Sequence, residues 1–494
     1  MSVFAGLDVG TTALKGVAID EQGAVLERAQ AEYPVSTPRP GWSEQDPALW
    51  WEAAQSVLRE LERGAGGAAL AGIGLSGQMH GLVTLDAGGQ VVRPAILWND
   101  QRTAAQTTTI ENTVGFDRLV ELTGNRALTG FTAPKLVWLR EHEPDHYARV
   151  ARIALPKDYV RLRLCGEHAT DVADASGTLL LDVGGRRWSE EMIAELDLDP
   201  EWLPRLLESP EVSGTTSERG ATSKEVPVAA GAGDQAAGAI GVGVDRPGPL
   251  SVVLGTSGVV FAALPAYASD PEARVHVFCH AVPDTWHAMG VMLSAAGSLG
   301  WFRDKLAPGV AYEELIAAAA EWPAGAEGLL FAPYLAGERT PYADPEARGA
   351  FTGLSVRHDR GALARAVLEG VAFALRDSLD LVASLAGDEP PAVGRVSGGG
   401  ARSDLWLRIL ASVLELPLER VAVDEGAAFG AAILGGVAAG AWPDVPAAVA
   451  ATVRTRERID PLPEWVELYR ERREAFRALY PALRELREAG GSAA

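Results

Sequence analysis

The stretch that decides the fold is Val3-Phe4-Ala5-Gly6-Leu7-Asp8-Val9-Gly10-Thr11-Thr12-Ala13-Leu14-Lys15-Gly16-Val17-Ala18-Ile19-Asp20. An apolar run, a Gly-Thr-Thr turn and a second apolar run describe two strands joined by a tight hairpin. The same pattern returns 245 residues further on, where Leu250-Ser251-Val252-Val253-Leu254 leads through Gly255-Thr256-Ser257-Gly258 into Val259-Val260-Phe261-Ala262-Ala263-Leu264. A unit repeated at half the chain length points to an internal duplication. Between the copies, Val244-Asp245-Arg246-Pro247-Gly248-Pro249 sets two prolines around a glycine, which marks a boundary. Elsewhere short strand-like runs alternate with helical ones. Leu363, Ala366, Val367, Val371, Ala374 and Leu375 have helical spacing and predict a helix over 362–385. Residues 465–486 read as one amphipathic helix, followed by a Gly-Gly-Ser-Ala-Ala tail. The expectation is an α/β protein of two related domains, residues 1–245 and 246–494.

Composition narrows the partners. The 494 residues are 47% hydrophobic and 22% charged, which excludes a disordered chain, and the net charge is −22. A protein this acidic lacks the electrostatic footprint for nucleic acid or anionic lipid. No run of about 20 apolar residues is free of polar interruption, so no membrane span is expected. The N-terminus has neither a basic region nor a cleavable apolar segment, so a cytoplasmic protein is expected. Two cysteines, Cys165 and Cys279, allow one disulfide at most and read as core residues. Lysine is scarce: Lys15, Lys135, Lys157, Lys224 and Lys305 stand out among many arginines.

Several motifs compete for the function. There is no GxxxxGK[ST] loop and no GxSxG elbow. Gly72-Ile73-Gly74-Leu75-Ser76-Gly77 and Gly231-Ala232-Gly233-Asp234-Gln235-Ala236 imitate a dinucleotide fingerprint, but the second places a carboxylate where pyrophosphate should sit. His276, Cys279, His280 and His287 are too loosely spaced for a zinc site and read better as alternation along two buried strands. Four features combine. Asp8 ends a strand before Gly10-Thr11-Thr12, with Lys15 beyond it. Such a turn can hold phosphate oxygens, and a carboxylate beside phosphate calls for a divalent cation between them. Gly255-Thr256-Ser257-Gly258 offers a second phosphate-holding turn, with Val253 where the first has Asp8. Asp234 stands at a strand end and helix start, either as a helix N-cap or as a catalytic group. Gly398-Gly399-Gly400 is either a flexible turn or a surface for a flat ligand.

Together these features resemble the actin-like, hexokinase-like (ribonuclease H-like) ATPase fold, with two duplicated α/β domains around an interdomain cleft. Within it the chain is similar to the FGGY carbohydrate kinases. Gly130-Phe131-Thr132-Ala133-Pro134-Lys135-Leu136-Val137-Trp138-Leu139-Arg140-Glu141-His142 fits that family's first signature. Gly349-Ala350-Phe351-Thr352-Gly353-Leu354 with Ala364-Arg365-Ala366-Val367-Leu368-Glu369 fits the second, departing at Ala362, where a polar or acidic residue is usual and helix capping would be affected. Further blocks resemble the members that act on D-xylulose: Trp42-Ser43-Glu44-Gln45-Asp46-Pro47, Gly77-Gln78-Met79-His80-Gly81, Leu97-Trp98-Asn99-Asp100-Gln101-Arg102, Leu155-Pro156-Lys157-Asp158-Tyr159 and Tyr334-Leu335-Ala336-Gly337-Glu338-Arg339-Thr340-Pro341.

The resemblance implies ATP-dependent phosphorylation of D-xylulose to D-xylulose 5-phosphate, with ATP and Mg²⁺ as cofactors and a homodimer as the family-like assembly. It implies Asp234 as the proton acceptor and Asp8 as the group beside the metal, holding it through water. Met79 and His80 match sugar-binding positions, and Gln78 and Asp100 flank them as further sugar contacts. Thr256, Gly399 and Gly400 match nucleotide contacts, joined by Thr11, Thr12, Lys15 and Gly398. Other substrates of the family, of ribulose, gluconate or glycerol type, are the alternatives. A non-kinase actin-like ATPase is a more distant one.

Overall fold

A computed structural model describes residues 2–66, 69–216, 222–387, 390–423 and 425–489. The Gly-Gly-Ser-Ala-Ala tail lies outside the described residues. The opening stretch forms β1 (Val3–Val9) and β2 (Ala13–Ile19), paired antiparallel so that Asp8 faces Lys15 across the hairpin. Strand β3 (Val25–Glu32) extends the meander beyond β2. On the other side β4 (Leu70–Gly77) runs parallel to β1, followed by β6 (Pro227–Ala229), which is parallel to β4, and an antiparallel edge, β5 (Val212–Thr215). A two-residue strand, β7 (Ala232–Gly233), also pairs with β4 and runs directly into helix α1 (Asp234–Gly241).

The second sheet repeats this plan. Strands β8 (Pro249–Leu254), β9 (Gly258–Leu264) and β11 (Trp286–Met292) form the antiparallel meander, with β10 (His276–Cys279) added at its edge. Strands β12 (Val393–Ser397) and β13 (Leu418–Val421) lie parallel to β8, and β14 (Thr455–Ile459) closes the far side antiparallel. β8 therefore takes the place of β1, β9 of β2 and β12 of β4. The duplication read from two turns extends through six strands of each sheet, with β7 and β10 outside the repeat, and the α/β class is as expected.

The helices agree with the patterning except at the C-terminus. Helix α2 spans Arg360–Leu385, and Asp359 caps it by accepting the Ala362 N–H at 3.1 Å. Ala362 thus receives the cap through its backbone, and the helix start needs no acidic side chain there. The stretch expected as one helix over 465–486 is two, Pro463–Arg477 and Leu479–Ala489, broken at Ala478. Pro481 has no N–H to continue the first helix and fits only the first turn of a new one. Among the described residues no helix is long and apolar enough to cross a membrane.

One helix of the C-terminal half, α3 (Gly426–Ala438), docks on the N-terminal sheet and on α1. Gly6, Gly72 and Gly74 share the face of β1 and β4 that meets it. A Cβ at any of the three would collide with α3 backbone, at the carbonyls of Ala428, Gly435 and Ala431 respectively. Gly430 meets the backbone of α1 at Ala237 in the same way. Two glycines of the pattern that imitates a dinucleotide fingerprint, Gly72 and Gly74, are thus a packing surface for this helix, and the third, Gly77, packs on Val9 and Lys157. The 244–249 segment is tied down as well: His280 Nε2 lies 3.0 Å from the Val244 carbonyl, and Ala392 N–H donates to the Gly248 carbonyl.

Candidate active site

The first turn is held from behind. Tyr33 Oη and Gln78 Nε2 donate to the Gly10 carbonyl at 2.7 and 3.2 Å, Gln45 Nε2 to the Thr11 carbonyl at 2.7 Å, and Tyr33 N–H to the Thr12 carbonyl at 3.0 Å. Thr11 Oγ1 donates to Gln78 Oε1 and accepts from Trp98 Nε1 at 3.0 Å. All three carbonyls are engaged, whereas the Thr11 and Thr12 N–H groups have no acceptor among the described residues. Consecutive N–H groups left free in a turn form an anion-binding nest.

The second turn has the same build. Ala296 N–H donates to the Gly255 carbonyl, and Ala295 and Gly297 N–H donate to that of Thr256. Thr256 and Ser257 are exposed. Gly398 lies against this turn at φ 88°, and a Cβ there would stand 2.6 Å from the Leu254 carbonyl. Its neighbours differ: Gly399 borders open space, while Gly400 packs on Leu254 and the Trp406 ring. Of the triplet, Gly399 offers a bare backbone, and the other two are required by the fold.

Strand register brings the two aspartates together. Asp8 pairs with Ser76, and Ser76 with Ala232; Gly77 is flanked in turn by Val9 and Gly233. Asp8 and Asp234 therefore emerge at the same ends of strands on either side of β4, two strand spacings or roughly 10 Å apart. The N-cap of α1 is Gly233, and no side chain caps the helix. The capping alternative for Asp234 is thereby excluded, and its Oδ1 accepts a long hydrogen bond from Gln235 Nε2 at 3.3 Å. Burial, and then the neighbouring Asp8 charge, push the Asp234 carboxyl up to about 7. Burial likewise raises Asp8 to about 6, against the opposing pull of Lys15 and a 3.4 Å hydrogen bond from Ser76 Oγ. Among the described residues no cluster of three or more His, Cys, Asp or Glu is arranged to hold a metal unaided. Asp8, an oxygen donor with one long hydrogen bond beside a phosphate-type nest, fits a hard cation that takes most of its shell from water and phosphate.

The Gly77–Gly81 block lies at the end of β4. Met79 is buried against Gly177 and Gly233. His80 adopts φ 69°, and its carbonyl accepts from Lys135 Nζ at 2.8 Å and Thr132 Oγ1 at 3.0 Å. Its Nδ1 is 2.7 Å from the Gly177 carbonyl, so Nδ1 carries the proton and Nε2 keeps a lone pair. Burial holds the ring neutral, its value lowered to about 3. Asp100 has no exposed surface: Ser43 N–H and the Arg102 guanidinium occupy both its oxygens at 2.6–2.9 Å. Gln78 is equally committed, to the first turn.

Sequence reasoning did not reach Tyr33, and it named Gln45, Trp98 and Lys135 without giving them a role in the site. The scarcity of lysine was a usable signal for Lys135, whose burial lowers it to about 7. The histidines weighed as metal ligands are packed among rings, with Phe261 stacked on His287 at 4.2 Å and Phe278 on His276 at 5.6 Å. Both cysteines are free.

Comparison with known proteins identifies the family. Residues 3–241 match the N-terminal domain, and residues 250–439 the C-terminal domain, of the FGGY family of carbohydrate kinases. A xylulose kinase of Escherichia coli K12 is 43% identical over 97% of this chain and 99% of its own length. One from Lactococcus lactis is 40% identical over 98% of both. A solved structure described as a xyloylose kinase from Brucella ovis superposes with a TM-score of 0.92 at 44% identity, covering 98% of this chain and all of the other. With both halves matched and relatives this similar from end to end, the chain belongs to the FGGY family of carbohydrate kinases and is a sugar kinase.

Proposed function

We propose that the chain transfers the γ-phosphoryl group of ATP to the 5-hydroxyl of D-xylulose, giving D-xylulose 5-phosphate and ADP. The observation that carries this reading is the pair Asp8 and Asp234, set at strand ends on either side of β4 beside a turn with free N–H groups, a turn whose counterpart in the other half has Val253 in place of Asp8. The substrates named for the similar kinases support the choice of sugar.

In this mechanism Asp234 accepts the proton of the attacking hydroxyl as its oxygen bonds to phosphorus and the bridging oxygen leaves with ADP. A carboxyl poised near neutrality is well matched to that transfer. His80 Nε2 accepts a hydrogen bond from a sugar hydroxyl and orients the sugar, and Met79 lies beside it. Gln78 and Asp100 contribute by holding the first turn and the Arg102 segment in place. The Thr11, Thr12 and Thr256 turns, with Lys15, hold phosphate oxygens. Gly398, Gly399 and Gly400 line the adenine side, Gly399 giving the closest approach. Asp8 would hold Mg²⁺ through water, and the ion, when bound, would supply positive charge to the nucleotide phosphates. Catalysis is mainly positioning and electrostatics.

A coupled assay of ADP release against D-xylulose, D-ribulose, D-gluconate and glycerol tests the reading. D-xylulose should give the highest kcat/KM. Preference for another member of the panel would replace the substrate, and no sugar-stimulated release from any would reject the mechanism.

A further inference from the structure

Two phenyl rings join the halves of the molecule beside His80. Phe131 from the first half and Phe278 from the second each pack against both His80 and His276, at ring separations of 4.6–6.1 Å. The Nδ1 of His276 lies 2.9 Å from Asn125 Oδ1. The Asn125 Nδ2 donates to the Thr123 and Val277 carbonyls, which fixes the amide oxygen toward the imidazole. His276 therefore carries its proton on Nδ1 and leaves Nε2 as an acceptor, in the same state as His80. Neither Nε2 has a protein partner among the described residues.

The third group is Arg339. Its loop is clamped to β11: Thr340 N–H donates to the Val291 carbonyl, Val291 N–H donates to Thr340 Oγ1, and Leu293 N–H donates to Glu338 Oε1, all at 3.0 Å. Val291 stands two residues along β11 from Met289, the strand partner of His276. The Arg339 guanidinium is partly buried, yet it makes no ion pair or hydrogen bond among the described residues. Its charge reaches both imidazoles and helps keep them neutral. A half-buried cation without acceptors is costly unless a ligand supplies them.

We propose that Arg339 and His276 of the C-terminal half complete, with His80 of the N-terminal half, a sugar subsite shared by the two halves. The guanidinium donates to sugar oxygens, and the two Nε2 atoms accept from sugar hydroxyls. Binding of the sugar then holds the halves together before phosphoryl transfer. This rests on the reading of the chain as a kinase of a neutral ketose.

Calorimetric titration of the full chain, without ATP, tests it. D-Xylulose should bind Arg339→Met roughly 10- to 100-fold more weakly than wild type, the scale of a lost charge-assisted hydrogen bond. Arg339→Lys should recover part of the loss. His276→Phe, which keeps the ring stack and removes Nε2, should also weaken sugar binding. A non-hydrolysable ATP analogue should bind all variants as it binds wild type. Sugar affinity within twofold of wild type in Arg339→Met, or loss of nucleotide affinity in place of sugar affinity, would overturn the subsite. Failure of wild type to bind D-xylulose, or tighter binding of D-gluconate, overturns the proposed substrate instead. In the gluconate case, loss of that binding in Arg339→Met upholds the subsite.

Discussion

Replacing Asp234 by asparagine should sharply lower turnover and at the same time stabilise the protein, in a pH-dependent way. The rise of the Asp234 carboxyl from its ordinary 3.8 to about 7 corresponds to about 4 kcal/mol between its protonation states. The side chain is partly exposed, so solvent screening reduces this to about 1–2 kcal/mol. The native state holds the proton more tightly than the unfolded chain. Its contribution to stability is therefore fully present below pH 3.8 and is lost as pH rises through about 7. Asparagine does not titrate, so the gap in Tm between Asp234→Asn and wild type should open between about pH 4 and 7 and stay level above. For domains of this size it should reach about 2–5 °C at pH 8. Helix α1 keeps its N-cap, because Gly233 and not Asp234 stands there. The kcat of the variant should fall by about 10²-fold or more. Thermal unfolding followed by fluorescence from pH 5 to 8.5, beside a coupled kinase assay, reads both effects. A Tm gap independent of pH would refute the argument from burial, and near-normal turnover would remove Asp234 from the proton transfer.

Other outcomes follow from the same geometry. In Asp8→Asn the acid limb of kcat/KM should move to lower pH, because a like charge beside Asp234 is gone, and the concentration of Mg²⁺ for half-maximal activity should rise. Gly74→Val should destabilise by about 3 kcal/mol or more in urea unfolding, since its side chain would enter the backbone of α3. Gly399→Ala should fold as wild type but raise the KM for ATP, whereas Gly398→Ala, at φ 88°, should lower the unfolding midpoint. Lys135→Met should raise the KM for sugar several-fold with little change in that for ATP, because His80 loses an ammonium clamp on its carbonyl.

Local pattern was enough to read the parts of the site that lie on strands and turns. The hairpins around Gly10 and Gly255 carry their periodicity and their glycines in adjacent residues, so Asp8, Lys15, Thr11 and Thr256 could be placed from sequence. What could not be read depends on contacts far along the chain. Gly72 and Gly74 are glycine because a helix more than 350 residues later lies on them, which makes a packing surface look like a nucleotide fingerprint. The N-cap and catalytic readings of Asp234 became separable only with the backbone of Gly233. Gln78 and Asp100 sit in blocks that resemble sugar-binding segments, but their side chains are consumed by the first turn and by Arg102. Lys157, in another such block, is buried among Asp158, Asp171 and Asp174 at 2.6–3.1 Å, a placement that hydropathy alone would not give. The single helix expected at the C-terminus failed because amphipathic spacing runs through Pro481 without registering its missing N–H.

The most direct test of the account is the product itself. After incubation with D-xylulose, ATP and Mg²⁺, ³¹P and ¹³C NMR should show one phosphate monoester, on C5 of the ketose, formed in equal amount to ADP. ADP without a sugar ester, or a phosphate on any other carbon, would contradict the placement of the sugar between His80 and Asp234.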